Sequence, residues 1–309
     1  MTATPRSVIA GHADDGERLD LFISKGANIS RSKAQHLISD GYVLVDGEPA
    51  RKNHQVAAGE EISWELPPPE PEEIVPEDIQ VPVVYADEDI VVVDKPAEMV
   101  MYPGPGHASG TLLNGLLARY PEMVGVGGKG RPGVFHRLDR GTSGLVAVAR
   151  SERAYQAMVE EMRERQVQRV YAALVVGSVP SETGTIDAPM ARSRGNRKKM
   201  AVDRSGGRRA VSRFKVMERF SSDFTLVEVT LETGRTHQIR VHFAHIGHPV
   251  AGDPEYSRGR SGKQLGLQRQ FLHARRLTFQ HPVTGRMMEF DSELPEDLEE
   301  VLQRVRLGL

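Results

Sequence analysis

The spacing of apolar positions along this chain changes several times, and the changes separate two units. Leu19, Phe22 and Ile23 fall on one helical face. Ser30-Arg31-Ser32-Lys33 opens a second short helix with a capping serine and the apolar pair Leu37 and Ile38, and Gly41 ends it. YVLVDGEPARK then reads as strand, Asp-Gly turn and strand, and Ile62 to Leu66 supplies another strand. The next stretch, PPPEPEEIVPEDIQVP, has no usable periodicity; its prolines and glutamates predict an extended, self-repelling linker. The expected division is an N-terminal tail (1–15), a small module (16–66), this linker (67–82) and a large domain (83–309).

In the large domain Ile90 to Val93 is a buried-strand run that Lys95-Pro96 breaks. Thr111 to Ala118 reads as a capped helix with Leu112, Leu113, Leu116 and Leu117 on its apolar side. Val134 to Arg150, VFHRLDRGTSGLVAVAR, predicts an extended segment, a tight polar loop and a buried strand over Leu145 to Ala149. Ser151 to Gln166 is a Ser-capped helix whose end carries Arg163, Arg165 and Arg169, and a strand begins at Tyr171. Phe224 to Leu231 alternates as a strand, and Thr236 is expected to cap a helix carrying Ile239, Phe243 and Ile246 on one face with Arg240 on another. A hairpin turn at 281–285, a strand from Met287 to Phe290 and an amphipathic helix from Leu294 to Leu307 complete the pattern.

The net charge of −2 conceals an asymmetry. Residues 1–100 hold 8 Lys/Arg against 20 Asp/Glu, whereas the remainder holds 32 against 22, a surplus of ten positive charges. A basic surplus suits a polyanion-binding surface. It is densest from Arg192 to Arg213, where nine Lys/Arg accompany the single Asp203. With little apolar periodicity, that segment predicts a mobile loop or hairpin whose Arg192, Arg197 and Lys198 neutralise phosphates. The chain contains no cysteine, which rules out a disulfide framework, a thiol nucleophile and a Cys-based zinc site. With no signal-peptide core and no apolar run long enough for a bilayer, a cytoplasmic protein without a membrane partner is expected.

Three candidate chemistries arise from these residues. Asp139 sits between Arg137 and Arg140 in a polar loop, where a carboxylate beside guanidinium groups is available as nucleophile or base; it is equally readable as a turn residue before glycine. The Gly-rich 125–133 has Gly-Lys without a following Ser or Thr, so it is no phosphate-binding P-loop and reads as a flexible lead-in. Four histidines at 237, 242, 245 and 248 lack metal-ligand spacing, so no metal is expected.

HRLDRGTSGL resembles the HRLDxxTSGL signature of the RluA-type pseudouridine synthases, which convert uridine in RNA to its C-glycoside isomer. GRTHQIRVH resembles that family's GRTHQIRxH motif, and Arg165-x-x-x-Arg169-x-Tyr171 its second motif. Val250 to Pro254 and Leu272-His273-Ala274 are further matches, whereas Tyr102 stands where the family has histidine. The resemblance implies catalytic roles for Asp139, for Tyr171 stacked under the base and assisting loss of the C5 proton, and for Arg240 paired with Asp139. It gives Leu272 as an apolar pocket wall, Asp253-Pro254 as a turn, and Arg137 as the residue filling the space left by the extracted uridine. It implies an α+β fold on a mixed, mostly antiparallel central sheet, with no cofactor. The small module resembles an S4-like RNA-binding module, which implies that Arg31, Ser32 and Lys33 face phosphates.

Together these matches most resemble the large-subunit rRNA pseudouridine synthase D subgroup, implying 23S rRNA or its precursor as partner, no DNA partner and a monomer. Three alternatives remain: a catalytically silent S4-like assembly factor, a synthase acting on tRNA, and a glycoside hydrolase pairing Asp139 with Asp253 or Asp94. Which carbon Asp139 would attack, or whether it abstracts a proton, stays open.

Overall fold

Nine strands of the larger unit form one sheet that is buried on both faces along much of its length. The computed structural model describes residues 6–27, 29, 31–51, 53–66, 74–104, 106–128, 130–193, 195–196, 199–220, 223–257 and 265–308, with the side chains of Ser32, Lys33 and His36 also outside the description. Contacts divide the chain into a unit of residues 1–72 and a unit of residues 73–309.

The small unit contains β1 (Arg6–Ile9), α1 (Leu19–Gly26), α2 (Arg31–Ser39), β2 (Val43–Val45), β3 (Glu48–Pro49) and β4 (Glu61–Trp64), with sheet order β1-β4-β2-β3. Asp46 and Gly47 both take positive φ, 50° and 83°, at the turn joining β2 to β3. That is the backbone an Asp-Gly hairpin requires. Leu19, Ile23, Leu37, Ile38, Ile62 and Trp64 form its core. Ser30 and Lys52 lie outside the described residues.

The large unit runs β5 (Val83–Ala86), β6 (Ile90–Lys95), α3 (Leu112–Arg119), β7 (Ser143–Ala149), α4 (Glu152–Glu164), β8 (Gln168–Val176), β9 (Thr183–Asp187), β10 (Met190–Arg192), β11 (Met200–Val202), β12 (Val211–Phe220), β13 (Phe224–Leu231), α5 (Gln238–His245), β14 (Leu272–Gln280), β15 (Met287–Asp291) and α6 (Glu296–Arg306). The sheet order is β5-β6-β7-β14-β8-β13-β12-β9, with β15 also on β14; β10 and β11 form a separate hairpin. Pairing is antiparallel except between β7 and β14, where His273 pairs with Ser143 and Ala274 with Gly144. This is the mixed, mostly antiparallel α+β sheet that the sequence resemblance implies.

Period-2 alternation sends Val91 and Val93 of β6 into a core shared with α3 and α5, while Ile90 and Val92 pack with Met158 of α4. Burial on both faces explains why β6 and β7 read as continuous apolar runs. Thr111 caps α3 by accepting from the Asn114 N–H, and Ser151 caps α4 from the Ala154 N–H.

Several expectations change. β8 begins at Gln168, so Arg169 is a strand residue preceding Tyr171. Thr236 does not cap α5: His237 occupies that position with φ 57° and no side-chain cap, and the Gln238 side chain accepts from the Arg235 N–H. Ile246 falls just beyond α5 and is 38% exposed, because the helix ends one residue before the apolar face would include it. The Gly-rich lead-in is tied down, with Gly133 donating to the Val126 carbonyl and accepting from the Ala149 N–H. Of the linker, residues 67–73 lie outside the described residues. Beyond them, Ile74 and Val81 pack on the large core, and Glu77 bonds through its N–H to the Asn114 carbonyl.

No described helix is long and apolar enough to cross a membrane.

Candidate active site

The loop after Leu138 is shaped from behind. Gly141 has φ 80° and Gly144 φ 108°, backbone that glycine adopts without a Cβ penalty. A Cβ on Gly144 would lie 2.3 Å from the Ala274 carbonyl oxygen, so only glycine lets β7 approach β14 this closely. The Gln270 side-chain amide donates to the Arg140 carbonyl at 2.8 Å and to Thr142 Oγ1 at 3.0 Å. Arg269 donates to the Gly141 carbonyl at 3.0 Å while its other edge is held by Asp297 of α6.

Held in this way, Asp139 lines a cavity of about 680 Å³ together with Arg137, Arg165, Arg169, Tyr171, Arg240 and Leu272. Asp139 Oδ2 lies 3.6 Å from Arg240 Nη1 and 4.0 Å from His237 Nε2. Arg240 spends its best hydrogen bonds elsewhere: Nε and Nη2 donate to the two oxygens of Asp253 at 2.6 and 3.0 Å. Burial opposes the Arg240 charge, but Asp253 and then Asp139 and Glu255 outweigh it and raise its pKa. The reading of Asp253 as only a turn residue is therefore incomplete. Its Oδ1 does accept the Glu255 and Tyr256 N–H groups, yet its buried carboxylate is also the principal anchor of Arg240.

His237 reaches Asp139 from a left-handed backbone, with Nδ1 2.8 Å from Tyr256 Oη. Burial lowers its pKa, and Asp139 partly offsets that. Two further histidines of this segment are engaged away from Asp139: His242 contacts Ser212 and the Ala188 carbonyl, and His248 the Val176 carbonyl. Tyr171 is 5% exposed, and burial pushes its hydroxyl pKa up, keeping it protonated. Leu272, 4% exposed, forms an apolar wall. Tyr102 packs under Arg131, whose guanidinium lies 4.3 Å from the ring centroid, and its hydroxyl accepts from Arg137.

Arg165, in the left-handed position ending α4, stands at the cavity rim beside Glu232, which also takes Arg209 and Arg213. Arg192 ends β10, exposed and outside the cavity lining, while Arg197 and Lys198 lie outside the described residues. In the small unit Arg31 donates to Asp20 at 2.9 Å, so it is partly engaged within its own unit; the Lys33 side chain is outside the description. Asp94 is bound by Ser292 Oγ and lines a different cavity. With Asp253 committed to Arg240, neither carboxylate is free to partner Asp139 in a hydrolase pair. Sequence reasoning missed His237, Tyr256, Gln270 and the burial of Arg169. For Arg169 a signal existed, since residues i and i+2 of a strand share a face and Tyr171 already faces inward.

A nine-stranded mixed sheet with an aspartate, an arginine and a tyrosine meeting in a basic-rimmed cleft defines a class of RNA-modifying enzyme. Residues 89–245 match the RNA pseudouridylate synthase family and residues 17–62 the S4 domain. The chain belongs to the RNA pseudouridine synthases. The uncharacterized RNA pseudouridine synthase YlyB of Bacillus subtilis is 42% identical over 97% of this chain and 97% of its own. Ribosomal large subunit pseudouridine synthase D of Pseudomonas aeruginosa is 43% identical over 94% of this chain and 92% of its own. The structure of human RNA Pseudouridylate Synthase Domain Containing 4 superimposes with a TM-score of 0.57 at 25% identity, covering 73% of this chain and 93% of that one.

Proposed function

We propose that this pseudouridine synthase isomerises uridines of 23S rRNA, in the large ribosomal subunit or its precursor, with Asp139 as the nucleophile or base. The observation that carries the reading is the state of the Asp139 carboxylate. It lines the cavity beside two cationic or protonatable groups, yet among the described residues it accepts no hydrogen bond. Asp253, by contrast, is saturated by Arg240 and two backbone N–H groups. A charge-compensated carboxylate that is not consumed by hydrogen bonds is available to attack.

The remaining residues supply position. Arg240, fixed by Asp253, presents its outer nitrogen to Asp139. Tyr171 offers a neutral ring and hydroxyl for stacking and for assisting loss of the C5 proton, and Leu272 closes the pocket. Arg137, steadied by Tyr102, fills the space the extracted uridine leaves. Arg163, Arg165 and Arg235 at the cavity rim, with Arg209 and Arg213 nearby, hold the phosphates on either side. The rRNA assignment rests on relatives named large subunit synthase D and on the S4 domain.

Tritium release from 23S transcript labelled at uridine C5 tests both parts. Release by the native chain, abolished in folded Asp139→Asn, supports the reading. Normal turnover by Asp139→Asn overturns the mechanism, and release from tRNA but not from 23S transcript or large subunits overturns the substrate.

A further inference from the structure

Arg169 is a buried cation without an anion. Only 6% of its surface is exposed, its Nε is buried without a hydrogen-bond partner, and among the described residues no carboxylate pairs with it. Among the described residues the other deeply buried arginines each have one: Arg240 has Asp253, and Arg269 has Asp297. Burying a charge in this way is costly, and burial lowers the pKa of this guanidinium, although arginine retains its proton in proteins. The group is also aimed at the site. It precedes Tyr171 by two residues on the same face of β8, lines the same cavity as Asp139, and packs so closely on Gly234 that a Cβ there would lie 2.6 Å from Arg169 Nη1.

His136 is another lining residue, and it contributes no charge. His136 Nε2 accepts the Ala147 N–H at 2.9 Å, which leaves the proton of the neutral ring on Nδ1, and Nδ1 is buried without a partner. Burial drives the pKa of His136 down to about 3, so the ring is neutral. A guanidinium without a counter-charge, lining the cavity beside Asp139, calls for a ligand with acceptor oxygens.

We infer that Arg169 binds the carbonyl oxygens of the target uracil and stabilises the uracil anion formed when the glycosidic bond breaks. This rests on the synthase reading above, taken with Asp139 acting on the ribose or on a proton, because addition of Asp139 to C6 would break the conjugation that spreads the charge. When C1′–N1 breaks, both electrons of the bond stay with the base, whose negative charge spreads over N1 and the two carbonyl oxygens. The base turns, the C5 electron pair forms the bond to C1′, the C5 proton leaves, and N1 takes up a proton. Nothing is oxidised or reduced and no co-reactant is consumed. Between the two bond events the anion must be held, and a preorganised cation in a water-poor cavity does this best.

The test uses the full chain with C5-tritiated RNA and the substitutions Arg169→Met and Arg169→Lys. Arg169→Met is expected to lose about 10²–10³-fold in kcat with KM changed less than threefold and thermal stability unchanged or raised, since an unpaired buried charge is removed. Arg169→Lys is expected to recover part of kcat. A kcat for Arg169→Met within threefold of the native value overturns the inference. So does a loss confined to KM with a shallower salt dependence, which would assign the ligand as a phosphate. A parallel fall in stability that lysine does not rescue also overturns it, by making the role structural. Asp139→Asn is run alongside: if it too remains active, the underlying mechanism has failed, whereas an inactive Asp139→Asn beside an active Arg169→Met isolates the failure to Arg169.

Discussion

Replacing Asp253 with Asn should separate what holds the active site together from what reacts in it. The Asp253 side chain is 0% exposed and that of Arg240 is 4% exposed. The pair makes two charge-assisted hydrogen bonds, at 2.6 and 3.0 Å. Removing one member of a buried pair typically costs about 3–5 kcal/mol, because the remaining charge stays buried. Here the lower end, about 3 kcal/mol, is expected, since Asp139 at 3.6 Å and Glu255 at 3.5 Å still face the guanidinium. Asn also keeps an acceptor for the Glu255 and Tyr256 N–H groups. Asp139→Asn should behave oppositely: that carboxylate is 14% exposed and accepts no hydrogen bond among the described residues, so its loss is expected to change stability by about 1 kcal/mol or less. The assay is urea unfolding followed by far-UV circular dichroism, with fluorescence of the single tryptophan, Trp64, reporting the small unit separately. In turnover the order reverses, Asp139→Asn being inactive and Asp253→Asn retaining a reduced kcat. If Asp139→Asn proved the more destabilising, or Asp253→Asn left stability within about 1 kcal/mol of native, the assignment of Asp253 as anchor would be wrong.

Gly144→Ala should be among the most damaging single-methyl changes, costing about 4 kcal/mol or more, because the new Cβ meets the Ala274 carbonyl oxygen at 2.3 Å and nitrogen at 2.7 Å at a φ of 108°; a melting temperature within a few degrees of native would refute this. Lys95 gives a pH signature. Its ammonium is fully buried against the Pro96 and Met99 carbonyls, and burial brings its pKa down to about 7, with Asp139 opposing. The unfolded chain holds that proton up to about pH 10.4, so between about pH 7 and pH 10 the unfolded state binds more protons and native stability rises with pH. Relative to Lys95→Met, the native chain should gain stability across that window and show a constant difference below it. A difference independent of pH in urea titrations would exclude the shift.

Some of this was fixed locally and could be read from the chain. The Asp46-Gly47 hairpin, the capping Thr111 and Ser151, and the apolar runs of β6 and β7 depend on residues within a few positions of one another, so local chemistry specifies them. Asp139 stood out because its neighbours Arg137, Arg140 and Gly141 are adjacent in sequence, and the match to a known motif gave the loop a chemical meaning. The start of α5 is not legible locally: Thr236 is a good cap by type, but the left-handed His237 and the Gln238 side chain set the boundary through contacts with the preceding turn.

What only the tertiary structure decided is which charges are spent and which are left over. Arg240 and Asp139 are about a hundred positions apart, yet their relation is settled by a third residue, Asp253, whose sequence context says only that it begins a turn. Gln270 and Arg269 shape the Asp139 loop from the segment leading into β14, because β14 is inserted between β7 and β8, a neighbour relation that no local periodicity encodes. Arg169 shows the same limit most sharply. In the sequence it is one of several arginines near the end of a helix, and most such residues are solvated. The pleat of β8 turns it inward beside Tyr171, where it is buried without a counter-charge. Hydrophobic pattern and short-range sterics determined the elements; the pairing of strands distant in sequence determined which ionisable groups share a cavity, and therefore the chemistry it can perform.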